Sequence, residues 1–222
     1  MRSWIARNKG FVVFLLCFGV FRTAVADWNP IPSGSMRPTL LEGDVVFVNR
    51  LAYDLKLPLT DIVLAPLGTP RRGDIVTFSS PKDGTRLIKR IVGLPGDRIE
   101  MHGDVLTING VAATYDGRFD APEPVAPGRT LGAVHVREHV AGSERDVQFL
   151  PQVRARRDVA PFVVPADSYF MLGDNRDDSE DSRYIGAVPR PLLIGRANRI
   201  VVSADILQHW QPRLERVGKA LD

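Results

Sequence analysis

Residues 32–40 read Pro32-Ser33-Gly34-Ser35-Met36-Arg37-Pro38-Thr39-Leu40, with two serines around one glycine and a proline near each end. Because glycine has no Cβ, the backbone can turn sharply here and bring two hydroxyls and nearby N–H groups toward one point. The prolines disfavour a continuous helix or a central strand through this stretch. Such a turn suits a nucleophile held beside an oxyanion site. Ser-Gly-Ser alone is more often an ordinary surface turn.

The composition is that of a globular protein of one domain, or of one domain with an insertion. The chain has 222 residues, of which 44% are hydrophobic and 25% are charged. A net charge of +3, with no basic run interleaved with aromatic residues, argues against a nucleic-acid partner. The single cysteine, Cys17, excludes an internal disulfide.

Residues 1–28 carry a membrane signal. Three basic residues precede an apolar run over 10–21, and Arg22 interrupts that run. A membrane span needs about 20 apolar residues, so this one is marginal and requires Arg22 to snorkel outward. Trp4 and Trp28 would lie about 36 Å apart on a helix, as interfacial anchors do. The positive-inside rule places the N-terminus in the cytoplasm and the remaining chain outside.

A cleavable signal peptide is the competing interpretation of the same residues. A basic region and an apolar core are followed by Ala24-Val25-Ala26, which has the small-x-small form of a cleavage site. The composition of this segment is compatible with a retained anchor and with a segment that is removed after Ala26.

The remaining chain is predicted to be mostly β. Residues 51–70 and 143–161 predict loops, and 113–131, which lacks periodicity, predicts an insertion or a mobile loop. Residues 205–221 predict a short amphipathic helix. Strands do not alternate with helices in the sequence, so a parallel sheet is not predicted. Strands and hairpins are predicted from β-branched and aromatic runs between turn residues: 45–49, 75–78, 86–92, a hairpin over 98–108 followed by a turn at Asn109-Gly110, 134–140, 162–165, 169–172 and 194–202.

Lys89 is the candidate general base. On a strand, Lys89 shares a face with Leu87 and Ile91, while Ile88 and Arg90 point the other way. An edge lysine is usually a solvated gatekeeper, but these apolar neighbours favour a buried amine. A serine nucleophile needs a base, and none of the four histidines lies in a stretch typical of a Ser-His-Asp triad. Burial can lower a lysine pKa from about 10.4 toward about 8, where the amine can act as a base.

No metal ion or cofactor is predicted. The acidic run over 173–183 has Arg176 where a calcium loop needs an oxygen ligand, and it has no glycine at the sixth place. His135 and His139 would share one strand face, but no third ligand is near. They are expected to be ordinary surface or core histidines.

Five segments, in this order along the chain, resemble the conserved boxes of the type I (leader) signal peptidases of peptidase family S26. These are serine proteases that cut export signals from secreted proteins by a Ser-Lys dyad. The resemblance touches most of residues 30–100 and 162–200. The segments are the serine stretch, Gly43-Asp44, Arg72-Gly73-Asp74-Ile75-Val76, the run over 88–97 and the acidic run over 173–183.

The resemblance implies roles for individual residues. Ser35 would be the nucleophile and Lys89 the general base. Ser33 would add its hydroxyl to the oxyanion hole beside the Ser35 backbone N–H, and Ser179 would orient the lysine amine. The other matched positions are Ile31, Met36, Leu87 and Ile88, which would line small apolar pockets for Ala at −1 and −3, and Arg90, Asp174, Asp181 and Arg183, which would form structural ion pairs.

Three features depart from the family pattern. Asp178 stands where the family usually has asparagine, and its charge would raise the Lys89 pKa if the side chain faces inward. Leu87 replaces an aromatic residue found in many members, which affects the expected pocket shape. One membrane segment is present where some relatives have two.

By this resemblance we expect a signal-peptidase-like antiparallel β fold with an inserted smaller β subdomain, preceded by one transmembrane helix. The expected protein is a monomer in the inner (plasma) membrane with its catalytic domain on the periplasmic side, and its partners are preproteins and the lipid bilayer. The expected divisions are a cytoplasmic N-terminus (1–9), a transmembrane anchor (10–27), a catalytic β domain (28–100 and 162–204), an inserted β-rich subdomain (101–161) and a C-terminal helical tail (205–222).

Three alternatives accompany this interpretation. A specialised relative, such as a pilin-maturing peptidase of conjugation systems, would have the same dyad and a narrow substrate set. A self-cleaving repressor is disfavoured because no DNA-binding helical domain precedes the serine. A non-catalytic anchored binding module would have no need of both Ser35 and Lys89.

Overall fold

The computed structural model describes residues 7–58, 60, 62–207 and 209–221. Helix α1 covers Lys9–Ala24, and none of its residues is buried. Trp4, which the sequence suggested as a membrane anchor, lies outside the described residues, as do the other residues of 1–6. Within the described part of the chain, no helix combines the length and the hydropathy needed to cross a membrane.

Strands dominate the described part of the chain, so the prediction of a mostly β protein is confirmed. A second helix, α2, covers Ser182–Ile185, and short 3-10 helices cover Gly34–Met36, Arg190–Leu192 and Leu214–Arg216. The strands in chain order are β1 (Ala26–Pro30), β2 (Asp44–Asn49), β3 (Asp54–Lys56), β4 (Val63–Pro66), β5 (Ile75–Ser79), β6 (Arg86–Gly93), β7 (Arg98–His102), β8 (Val105–Ile108), β9 (Val111–Ala112), β10 (Thr114–Ala126), β11 (Arg129–Val140), β12 (Ser143–Phe149), β13 (Val159–Val163), β14 (Ser168–Leu172), β15 (Val188–Pro189), β16 (Leu193–Asp205) and β17 (Gln211–Pro212).

The largest sheet runs in the order β1-β2-β16-β5-β6-β14-β15, with β17 paired to β16. Its strands pair antiparallel, as expected for a chain without strand–helix alternation. Apolar side chains of this sheet pack into three clusters, one around Val46, one around Phe78 and Met171, and one that Phe170 and Leu172 share with the sheet containing β7 and β8. This packing makes the sheet a rigid support for the loops that leave its strands.

The chain between β6 and β14 forms two smaller sheets. One has the order β10-β11-β12, and the other has the order β13-β7-β8-β9. The turn between β8 and β9 has Asn109 at φ 53° and Gly110 at φ 81°, as the Asn-Gly signal predicted. The division of the chain into domains stays a prediction.

The predicted strands and hairpin are present, although the strand predicted over 162–165 covers Val159–Val163. The interpretation of 113–131 as a mobile loop is wrong. That segment forms most of a long hairpin in which β10 pairs with β11. Most β10 side chains are at least partly exposed, so the strand lacks the apolar alternation that marks a half-buried strand. Pro122 and Pro124 are tolerated because β10 is an edge strand of its sheet.

Other loop predictions were wrong in part. Residues 51–70 contain the short paired strands β3 and β4, and 143–161 contains β12 and the start of β13. These strands are short or rich in charged residues, which hides their period.

The helix predicted over 205–221 is not formed in its described part. The chain there forms a turn, β17 and a 3-10 helix. His209 and Trp210 have positive φ angles of 28° and 54°, and Pro212 removes a helical N–H donor. These backbone conformations are incompatible with a continuous helix.

Candidate active site

The serine turn and the acidic loop meet at the strand that carries Lys89. The serine turn, residues 33–37, lies between β1 and β2, Lys89 lies within β6, and the acidic loop, residues 173–183, begins directly after β14. Because β14 is hydrogen-bonded to β6, the start of the acidic loop lies next to the lysine strand. Sheet order therefore brings together residues that are far apart in the sequence.

Ser35 lies in the 3-10 helix Gly34–Met36, and only 8% of its surface is exposed. Ser33, the residue directly before this 3-10 helix, has extended backbone angles, and its side chain forms no capping hydrogen bond. The Arg37 N–H donates to the Gly34 carbonyl over 3.1 Å and closes the turn. The turn thus holds the Ser35 side chain in a defined position at the end of the cleft described below.

The amine of Lys89 is buried against Ser35. Its Nζ lies 2.5 Å from the Ser35 Oγ in a hydrogen bond, and only 3% of the residue is exposed. Burial lowers the pKa of Lys89 to about 8, against the opposing effect of carboxylates led by Asp181 and Asp174. About a tenth of this amine is therefore neutral at pH 7 and about half at pH 8, where it can accept a proton.

The acidic loop contacts the serine turn through its backbone and one amide side chain. The Asn175 N–H donates to the Ser35 carbonyl over 3.2 Å, and Asn175 Nδ2 donates to the Gly34 carbonyl over 3.1 Å. A Cβ at Gly173 would lie 2.5 Å from the Ser35 carbonyl oxygen and 2.2 Å from the Ser179 Oγ. Only glycine allows this close approach of the two segments.

Two buried ion pairs flank the dyad. Arg90 donates to both Asp174 carboxylate oxygens, over 2.9 and 2.8 Å. Arg183 binds Asp181 in the same two-pronged way, with both distances 2.8 Å. Bidentate geometry provides each buried carboxylate with a fixed counter-charge.

Ser179 is held by the second of these pairs. Its hydroxyl donates to Asp181 Oδ2 over 2.8 Å, and the same oxygen accepts the Gly173 N–H over 3.0 Å. Among the described residues no hydrogen bond joins Ser179 to Lys89. The orienting role implied by the resemblance stays a prediction.

An open cleft of about 650 Å³ leads to the dyad. Of the four residues expected to line substrate pockets, Leu87 is part of this cleft wall. Ile31, Met36 and Ile88 are not among its described lining residues, and they pack together in one apolar cluster. The described residues that line the cleft are Ser33, Ser35, Lys82, Leu87, Lys89, Val153, Arg154, Asp177, Asp178, Ser179, Glu180 and Tyr184.

Asp178, the departure from the family pattern, lines this cleft. Its charge is among those that raise the Lys89 pKa. Its side of the cleft is exposed, so solvent screens the interaction.

The histidines take no part in this cleft, because none is among its described lining residues. His135 stacks on Phe119 with ring centroids 4.7 Å apart and lies 3.6 Å from Glu123. His139 lies 3.0 Å from the Asp116 carboxylate. Both are on the sheet β10-β11-β12.

Sequence reasoning missed Asn175 and the buried residues that hold its loop. Asn175 is the one amide in the acidic run, so it could have been marked as a donor for backbone carbonyls. Arg176 was considered only as an obstacle to calcium binding. Its partner Glu138 comes from β11, and no local signal connects the two.

A family model described as "Signal peptidase, peptidase S26" matches residues 1–202. The chain belongs to this family. The match confirms the resemblance on which the site residues were predicted. It also confirms the prediction that the chain is a serine endopeptidase.

Curated relatives support the same assignment. The chain is 36% identical to signal peptidase I of Pseudomonas aeruginosa over 95% of its own length and 77% of that protein. It is 36% identical to signal peptidase I of Pseudomonas fluorescens with the same two coverages. Among solved structures, a signal peptidase I from Enterococcus faecalis V583 is 34% identical with a TM-score of 0.34, covering 58% of this chain and 96% of that one.

Proposed function

We propose that this chain is a Ser-Lys signal peptidase that removes N-terminal signal peptides from exported preproteins after Ala-x-Ala sites. The observation that carries the proposal is the buried hydrogen bond of 2.5 Å between Lys89 Nζ and Ser35 Oγ at the end of an open cleft. A structural lysine has no need of a serine hydroxyl as its partner. A nucleophile, in contrast, needs a base within hydrogen-bond reach.

The proposed reaction is acyl transfer. Neutral Lys89 accepts the Ser35 proton while the serine oxygen attacks the carbonyl carbon of the −1 residue. The ammonium of Lys89 then donates its proton to the leaving amide nitrogen, and an ester to Ser35 remains. Lys89 next takes a proton from water, whose oxygen attacks the ester carbonyl carbon. The bond from that carbon to the Ser35 oxygen then breaks, Lys89 returns the proton to the Ser35 oxygen, and the signal peptide leaves as a carboxylic acid.

The oxyanion of each tetrahedral intermediate would lie at the start of the serine turn. The first N–H groups of a short helix have no partner within the helix, so the Ser35 N–H is suited to donate there. The Ser33 hydroxyl lines the same cleft and forms no capping hydrogen bond. One such donor contributes about 3–4 kcal/mol to transition-state stabilisation.

The bilayer is the proposed second partner, with the N-terminus cytoplasmic and the catalytic part extracytoplasmic. Helix α1 exposes large apolar side chains such as Phe14 (60%) and Leu16 (64%), which would be costly in water. β1 begins two residues after this helix ends and leads into the serine turn. A membrane contact at α1 would hold the cleft where a signal peptide leaves the bilayer.

The proposal predicts cleavage of a preprotein whose signal ends in Ala-x-Ala. Detergent-solubilised protein should release the mature chain, and mass spectrometry should place the cut directly after the −1 alanine. A matched preprotein with leucine at −1 should resist cleavage, because the small pocket that the family resemblance implies would not accept it. If folded protein cleaves neither, the general activity is refuted and the narrow-substrate peptidase becomes the better hypothesis.

The pH dependence gives a second prediction. Because neutral Lys89 is the base, kcat/KM should rise with pH through about 8 and level off above it. Asp178 raises the Lys89 pKa, so Asp178→Asn should move the profile toward lower pH and increase activity at pH 6.5 about 1.5- to 5-fold.

The control for this profile is Glu144→Gln, which removes an exposed carboxylate on β12. That variant should keep the wild-type profile. A profile of Asp178→Asn that coincides with wild type, or moves to higher pH, would contradict the effect of the Asp178 charge on Lys89. A wild-type profile without an inflection near pH 8 would contradict the assignment of Lys89 as the base.

A further inference from the structure

The sheet β10-β11-β12, called the hairpin sheet below, contacts both the acidic loop and the serine turn of the candidate active site. We propose that this sheet positions the nucleophile turn, and that Glu138 on β11 is the positioning residue that joins the two. The inference rests on the proposed function, because it concerns the geometry of the same dyad.

Glu138 is completely buried and binds two arginines. Arg176 of the acidic loop donates to its two carboxylate oxygens over 2.6 and 2.7 Å, and Arg145 of β12 donates over 2.7 Å. The Tyr115 hydroxyl donates to Glu138 over 3.0 Å. Burial alone would raise the pKa of Glu138, but the two arginines hold it at about 2, so this carboxylate is ionised throughout the working pH range.

The backbone of the acidic loop is also joined to the hairpin sheet. The Gln148 N–H donates to the Asp174 carbonyl and the Arg176 N–H donates to the Gln148 carbonyl, both over 2.9 Å. These bonds form a parallel bridge between Gln148 and Asn175. Thus the guanidinium and the backbone of Arg176 are both held by this sheet.

Asn175 transmits this position to the serine turn. It lies between the residues held by the hairpin sheet and donates to the carbonyls of Gly34 and Ser35. The peptide group after Gly34 carries the Ser35 N–H that would face the oxyanion. A shift of Arg176 would therefore reorient the oxyanion donor and the Ser35 side chain together.

A second connection joins the hairpin sheet to the serine turn directly. Arg37 forms an ion pair with Glu123 of β10 and donates to Glu42 over 2.7 Å. Arg37 is 6% exposed and Glu123 is 9% exposed, so this contact is screened little by solvent. The serine turn is consequently held at two points by one sheet.

The charge balance explains why Glu138 matters more than other acids of this sheet. Arg145 and Arg176 have buried side chains, and Glu138 is the carboxylate that both of them contact. Glu138→Gln preserves the shape of the side chain but leaves both guanidinium groups without that negative charge. Because unpaired buried charges are unfavourable, Arg176 should move and carry Asn175 with it.

The test is steady-state kinetics of Glu138→Gln on the preprotein substrate, with kcat expressed per folded molecule from circular dichroism. The expected result is a fall in kcat of about 10- to 100-fold with KM nearly unchanged, because Glu138 is not among the described residues that line the cleft. Glu144→Gln, an exposed acid of the same hairpin sheet, should have wild-type kcat. A purely structural role would reduce the folded fraction and the melting temperature without changing kcat per folded molecule.

A double-mutant cycle tests whether Glu138 acts on the serine turn through Asn175. If Glu138 acts through Asn175, the kcat losses of Glu138→Gln and Asn175→Ala should overlap, and the double variant should be little worse than the poorer single variant. Losses that multiply would overturn the inference, as would wild-type kcat in Glu138→Gln.

Two further measurements keep the test decisive. If Glu138→Gln does not fold, Tyr115→Phe removes one hydrogen bond to the same carboxylate and should show a smaller kcat loss that also overlaps with Asn175→Ala.

Ser35→Ala in the same assay separates the two proposals. Cleavage that survives Ser35→Ala refutes the proposed function, whereas cleavage that requires Ser35 but not Glu138 refutes only the role of the hairpin sheet.

Discussion

Lys89→Met is expected to lower kcat/KM by about 10⁴- to 10⁶-fold, as loss of a serine nucleophile or its base does in other serine proteases. No other described amine contacts the Ser35 hydroxyl, so nothing replaces the base. Ser35→Ala should cause a loss of similar size, and the double variant should be no worse, because the two residues act as one unit. Cleavage rates of the preprotein at pH 8 measure all three.

Lys82→Met is the matched control for this loss. Lys82 lines the same cleft, but it is exposed, and its amine lies 2.9 Å from Glu180. The hydrogen bond to Glu180 raises the pKa of Lys82, which keeps this amine protonated and unable to act as a base. Activity within about twofold of wild type is expected. Equal losses in the two variants would contradict a specific role for Lys89.

The Lys89→Met variant should remain folded, which separates its loss of activity from unfolding. Burial lowers the Lys89 pKa from 10.5 to about 8, so the folded state disfavours the protonated amine by about 3 kcal/mol. The penalty is absent at a pH above the Lys89 pKa of the unfolded chain, where the amine is neutral in both states. It is complete at a pH below the Lys89 pKa of the folded protein. Methionine removes it, and the variant should melt at no lower temperature than wild type at pH 7.

Asp181→Asn is expected to lower the free energy of unfolding by about 3–5 kcal/mol, the usual cost of breaking a buried ion pair from one side. Asp181 is completely buried, and its carboxylate accepts two bonds from the Arg183 guanidinium and one each from the Arg183 N–H, the Ser179 hydroxyl and the Gly173 N–H. An amide in its place would present donors to donors and leave the Arg183 charge unpaired. Denaturant unfolding followed by circular dichroism measures the change.

The adjacent acid provides the control for Asp181. Glu180 is exposed, and its ion pair with Lys82 joins side chains that are 53% and 59% exposed. Glu180→Gln should change the free energy of unfolding by less than about 0.5 kcal/mol. If Asp181→Asn were as mild as Glu180→Gln, the buried pair would not be the support that its geometry suggests.

Much of the fold could be predicted from local pattern. The alternation of apolar residues and the Gly-Asp and Asn-Gly turns predicted β2, β5, β6, β7, β8 and β14. The prediction failed where strands have no buried face. β10 is held by its backbone hydrogen bonds to β11, which a hydropathy pattern cannot report.

The candidate site divides in the same way. The serine turn, Lys89 and the acidic loop could be selected because each is a compact motif with its own chemistry. The contacts that hold these three motifs together could not be predicted from the sequence. Arg176 and Glu138 lie on different elements, and their pairing depends on how the hairpin sheet docks against the acidic loop.

The sequence by itself determined that the chain is mostly β, that it belongs with the signal peptidases of family S26, and which serine and lysine are the candidates for catalysis. Periodicity and residue type are local properties, so short windows of sequence report them. Only the tertiary structure decided that Lys89 is buried against Ser35, that Asn175 binds the serine turn, and that Glu138 holds the acidic loop. Desolvation and ion pairing depend on which distant elements pack together, and sheet order, rather than any local pattern, sets that packing.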